Sequence, residues 1–203
     1  MTKIVTYYLS PASPYCYLGG QRIAQIAAAA DTEVAVKPID TGRVFAATGG
    51  LPLPKRHPAR RAYRLVELAR WRDQLGLAMH IEPAYFPVDG DLASRVIIAA
   101  RQADCGPLDL ANAVLRAVWE QERDIADAEA VARIIGETGL DAEALIEAAG
   151  SDDVSRELEA NTDEAIAAGV FGVPWLVYRE VPYWGQDRLE FLERALASRV
   201  DRA

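Results

Sequence analysis

Residues 3–9, Lys-Ile-Val-Thr-Tyr-Tyr-Leu, are β-branched and aromatic and end at Ser10-Pro11-Ala12-Ser13-Pro14, which predicts a strand running into a sharp turn. From Tyr15 to Ala30 the apolar positions Tyr17, Leu18, Ile23, Ile26, Ala27 and Ala30 recur mostly at three- and four-residue spacing, the stripe of an amphipathic helix. Ser13 falls at its N-cap and Pro14 at its first position, where the missing N–H costs nothing. Glu33 to Asp40 predicts a second strand, and a helical crossover makes the two strands parallel neighbours.

Beyond that β-α-β unit, residues 41–58 read as loop, because Gly42, Gly49, Gly50, Pro52, Pro54 and Pro58 break any period. Helical patterns follow over Arg60–Leu75, with Tyr63, Val66, Leu68 and Trp71 on one side, then Asp91–Cys105, Leu108–Arg123, Ala128–Glu137, Asp141–Ala149 and Asp163–Val170. Val173 to Tyr178 and Val181 to Trp184 read as short strands, and Asp187 to Val200 as a final helix carrying Leu189, Phe191, Leu192, Leu196 and Val200. The order is βαβ, helical block, ββα. It describes an α/β chain with a thioredoxin-like fold, formed by 1–50 and 166–203, interrupted by an all-helical insertion over 51–165, as in DsbA-like proteins.

Composition narrows the function. With 203 residues, 51% hydrophobic and 26% charged, the chain can bury a sizeable core. Its net charge of -8 opposes nucleic-acid binding. The one basic cluster, Lys55-Arg56-His57 followed by Arg60, Arg61 and Arg64, reads either as a solvated helix start or as an anion site. Two cysteines, Cys16 and Cys105, do not make a disulfide framework. With no run approaching the roughly 20 apolar residues of a membrane span and no signal-type N-terminus, a cytoplasmic protein is expected. No metal site is expected.

Three motifs carry a resemblance that covers nearly the whole chain: Ser13-Pro14-Tyr15-Cys16-Tyr17-Leu18-Gly19, Phe171-Gly172-Val173-Pro174 and Trp184-Gly185-Gln186-Asp187-Arg188-Leu189, with Arg60, Tyr63, Arg70 and Trp71 between them. Together they resemble 2-hydroxychromene-2-carboxylate isomerases and kappa-class glutathione transferases. The resemblance implies a glutathione site in which Ser13 is the catalytic serine, standing where DsbA-like oxidoreductases have their nucleophilic cysteine. It implies that Pro174 is a cis-proline and that the backbone of Val173 pairs with the cysteinyl part of glutathione. Gln186 and Asp187 match positions that receive the γ-glutamyl end, and Arg60 a basic residue near the glycyl carboxylate. It also implies a homodimer. The family's frequent Gly-Asn-x-Pro loop is Gly49-Gly50-Leu51-Pro52 here, and its frequent acidic residue three before the serine is Ser10.

Read from the residues, Ser13 serves either as a plain N-cap or as a donor to a bound sulfur. A thiol with a pKa near 8.5 is mostly protonated at neutral pH. A helix N-terminus and a hydroxyl donor together would bring it to roughly 6.5–7.5. The implied isomerase chemistry is thiolate addition, ring opening, bond rotation and elimination of glutathione on an aromatic carboxylate; the alternatives are transfer of glutathione to an electrophile, and a non-enzymatic thiol or peptide binder. Arg60, Lys37 and Arg43 are candidates for the substrate carboxylate. Cys16 and Cys105 read as packing residues, and His57 and His80 as surface residues. Trp71 and Trp184 read as core, or else as the wall of an aromatic pocket.

Overall fold

A computed structural model describes residues 2–198; Val200 of the last expected helix lies outside them. The chain runs β1 (Lys3–Leu9), α1 (Pro14–Ala29), β2 (Thr32–Pro38), α2 (Thr41–Thr48), α3 (Pro58–Leu75), α4 (Asp91–Gln102), α5 (Pro107–Trp119), α6 (Ala128–Glu137), α7 (Ala142–Ala149), α8 (Asp152–Ala167), β3 (Trp175–Tyr178), β4 (Val181–Trp184) and α9 (Leu189–Ala197). The four strands form one mixed sheet in the order β2-β1-β3-β4. β1 and β2 are parallel, with Tyr7 opposite Val36. β3 is antiparallel to β1, with Tyr8 opposite Trp175.

β1 is buried on both faces where it nears its C-terminal end. Val5, Tyr7 and Leu9 enter the main core with Leu18, Ile23, Leu115 and Trp119. Tyr8 turns the other way, into a smaller cluster with Ile39, Val44, Ala165, Val170 and Trp175. The period-2 alternation of the strand thus serves two helical layers, as in an α/β architecture.

Three expectations need correction. The first half of the expected 41–58 loop is α2: Asp40 caps it, accepting from the N–H groups of Gly42 and Arg43, and Gly49 closes it at φ 78°. The helical pattern seen from Asp163 is the last third of α8, which starts from the cap of Ser151. On α3 the inward face is Arg64 and Leu68, whereas Tyr63 and Val66 are exposed; a charge in the apolar stripe hid the phase.

Candidate active site

The chain leaves β1 at the carboxyl edge of the sheet, where ligands of open α/β sheets bind. Ser13 caps α1 there: its Oγ accepts from the Cys16 N–H at 3.3 Å, and its carbonyl accepts from the Tyr17 N–H at 3.0 Å. Pro14 has no N–H to satisfy. The Tyr15 N–H has no hydrogen-bond partner among the described residues. The Ser13 hydroxyl also lies against the buried Cys16 thiol; a hydroxyl carries one rotatable proton, which can face either that thiol or a group in the cleft.

This turn lines a chamber of about 1000 Å³, together with α2, α3, α4, α8 and the Phe171–Val173 segment. A second chamber of about 560 Å³ shares Tyr15, Arg56, Val173 and Trp184 with it, so the two make a continuous cleft. Val173 precedes a cis peptide to Pro174, as expected. No backbone hydrogen bond to Val173 is found among the described residues. Pro174 is buried behind it and accepts the Gly185 N–H at 2.9 Å.

Arg60, Gln186 and Asp187 line the second chamber. Gln186 is 2% exposed, and its Oε1 and carbonyl both accept from Arg22 Nη1, at 3.1 and 3.0 Å. Asp187 is exposed and paired with the Arg188 guanidinium. Ser13, Val173, Arg60, Gln186 and Asp187 are therefore gathered around one cleft. Trp184 is 43% exposed and forms an edge-on pair with Phe171 at 4.6 Å, so it is cleft wall and not core. Gly172 makes room for it, because a Cβ there would lie 2.9 Å from the indole Nε1. Gly50 does the same for Phe45, whose ring would be 2.5 Å from such a Cβ.

Two of the three expected cations are already engaged. Lys37 Nζ is 2.5 Å from Glu164, and Arg43 is 2.7 Å from Asp163. His57 and His80 are exposed; His57 caps α3 through the Ala59 N–H. Cys16 is fully buried, and burial pushes its thiol up to about 11 despite opposing contacts with Ser10, Ser13 and Tyr7. It is a neutral packing group. Cys105 is only partly buried, at the margin of the core.

The residue that the sequence reading left inside a basic run is Arg64. It is buried in the wall of the large chamber, with its guanidinium over Phe86 at 5.1 Å and Trp119 at 6.0 Å. Its spacing signals this: Arg64, Leu68, Trp71 and Leu75 fall at i, i+4, i+7 and i+11, so a charge occupies a core register. Among the described residues no group of His, Cys, Asp and Glu suits a metal ion, and no helix is long and apolar enough to cross a membrane.

Fold and cleft together define the class: residues 4–197 match the DSBA-like thioredoxin domain family, and the chain belongs to it. Within that class it is 29% identical to the 2-hydroxychromene-2-carboxylate isomerase of Pseudomonas putida, over 95% of this chain and 94% of that one. It is 26% identical to glutathione S-transferase kappa 2 of Caenorhabditis elegans, over 86% and 80%. A solved 2-hydroxychromene-2-carboxylate isomerase superposes with a TM-score of 0.80 at 28% identity, covering 95% of this chain and 94% of that one. These relatives agree with the resemblance drawn from the three motifs. The fold is also that of the cytosolic disulfide reductase DsbM of Pseudomonas aeruginosa in its structure with GSH, at a TM-score of 0.69 and 17% identity, over 96% and 100%.

Proposed function

We propose that this chain is a glutathione-dependent isomerase of aromatic carboxylates of the 2-hydroxychromene-2-carboxylate type. The observation that carries the reading is the first turn of α1, where the capping Ser13 hydroxyl and an unbonded Tyr15 N–H line the same chamber as the unpaired backbone of Val173. When bound, glutathione supplies a thiol whose ionised form adds to a conjugated carbon and later leaves, so it is not consumed.

The chain's own groups fit that task. The Ser13 O–H donates to the sulfur, and the Tyr15 N–H and the positive end of α1 hold its charge. The Val173 N–H and carbonyl align an extended peptide as an added strand would. Gln186, fixed by Arg22, and Asp187 take the γ-glutamyl end, and Arg60 takes the glycyl carboxylate. Phe171 and Trp184 offer flat apolar surface to an aromatic ring. The setting that goes with this reading is a cytoplasmic homodimer, checked by light scattering of the purified protein.

The test is turnover of a chromene carboxylate with sub-stoichiometric glutathione while total free thiol is titrated. Many turnovers per thiol with no thiol lost are expected, and turnover independent of glutathione would sink the reading. Stoichiometric thiol loss with an electrophile would instead support a kappa-like transferase, the second reading, which the C. elegans relative favours.

A further inference from the structure

Four arginines line the large chamber, and three of them have partners. Arg43 pairs with Asp163. Arg95 pairs with Asp91 at 2.6 Å and donates to Ser155 Oγ. Arg56 donates its Nε to the Leu51 carbonyl at 2.7 Å and covers the Phe45 ring. Arg64 differs. It is 9% exposed, and its Nη2 is buried with no hydrogen-bond partner. No hydrogen bond or ion pair of Arg64 is found among the described residues. Glu82 and Tyr15 feel its charge without an ion pair or hydrogen bond, Arg56 opposes it, and burial lowers its pKa.

The Phe86 and Trp119 rings attract the cation but offer its N–H groups no acceptor in the plane of the fork. A buried guanidinium left in that state is unfavourable by itself. It becomes favourable when an anion completes it, and its planar donor fork suits a carboxylate. Two rings already fix its position, so little side-chain freedom is lost on pairing. Arg64 lines the large chamber that holds Ser13, and not the smaller one that holds Gln186, Asp187 and Arg60.

We propose that Arg64, seated on Phe86 and Trp119, is the receptor for the carboxylate of the aromatic substrate and sets the preference of the cleft for acids. The inference rests on the reading of the cleft as an aromatic-acid site, and it replaces Lys37 and Arg43 in that role.

The experiment compares wild type, Arg64→Met and Arg64→Lys with two probes of nearly equal shape, salicylate and neutral salicylamide, by thermal shift and calorimetry without glutathione. Salicylate binding to the wild type is expected to exceed salicylamide binding by roughly 10- to 100-fold, the size of a charge-assisted hydrogen-bond effect. Arg64→Met abolishes that preference, and Arg64→Lys keeps part of it. In turnover, Arg64→Met raises KM for the chromene carboxylate by a similar factor and leaves KM for glutathione unchanged. The unliganded Arg64→Met protein should melt no lower than the wild type, since it loses an unpaired buried charge; a merely structural arginine would show the opposite. A salicylate preference that survives in Arg64→Met, or none in the wild type, overturns the assignment. Should the wild type fail to bind glutathione while the acid preference still tracks Arg64, the glutathione reading fails and this assignment stands.

Discussion

The two sides of the cleft contribute different kinds of chemistry. The sheet side offers mainly backbone and a short hydroxyl: the Tyr15 N–H, the Ser13 cap and the unpaired Val173 peptide. The side built by α3 and the segment after it offers long side chains, Arg64, Phe86 and Trp71, held by packing. Backbone groups cannot be altered by substitution without altering the turn, whereas side chains change freely. On the proposed reading, the difference teaches that thiol handling belongs to the fold, and substrate choice to what is hung opposite it.

The sharpest way to break this contrast is to remove the helical side's anchor. Trp119 is fully buried and touches both Phe86 and Arg64, so Trp119→Ala should lower stability by about 3–5 kcal/mol. Chemical denaturation would read this directly. On the sheet side, Ser13→Ala should reduce kcat/KM roughly 10- to 100-fold by losing a hydrogen bond to a charged sulfur, about 1.5–3 kcal/mol. Its stability loss should be near 1 kcal/mol, the size of an N-cap. Steady-state kinetics showing an unchanged rate would separate capping from chemistry.

Cys16 sharpens the comparison through pH. Its folded-state pKa is raised to about 11 by burial, so its contribution is fully present below the ordinary thiol range and is lost as pH climbs through 11. Between about pH 9 and 11 the loss should be on the order of 2 kcal/mol. Cys16→Ala should flatten that alkaline decline relative to the wild type in melting curves. The smallest effect is expected at Asp40→Ala, which uncaps α2 beside the cleft for about 1 kcal/mol. It should leave turnover of a bound substrate nearly unchanged.

Much of the sheet side is legible in the sequence. The β-branched run of β1, the Ser-Pro cap of α1 and the proline that opens toward β3 are local signals, and local physics reads them. α2 escapes because Gly42 lies inside it and Gly49 just beyond it, so the window looks broken, although Asp40 and Gly49 are a complete pair of caps. The first two-thirds of α8 escapes because its inward residues Val154, Leu158 and Asn161 are too sparse and partly polar to show a stripe. Arg64 was hidden for a related reason. A hydropathy pattern counts arginine as outward, and only the three-dimensional meeting of α3 with Phe86 and Trp119 turns it inward.

The thiol of Cys16, sealed between Tyr7 and the serine turn, has a consequence for durability. At the rim of this cleft the first turn of α1 presents oxygen and amide nitrogen but no sulfur. A peroxide pulse that would oxidise an exposed cysteine there meets no accessible sulfur in that turn, because Cys16 is buried behind it.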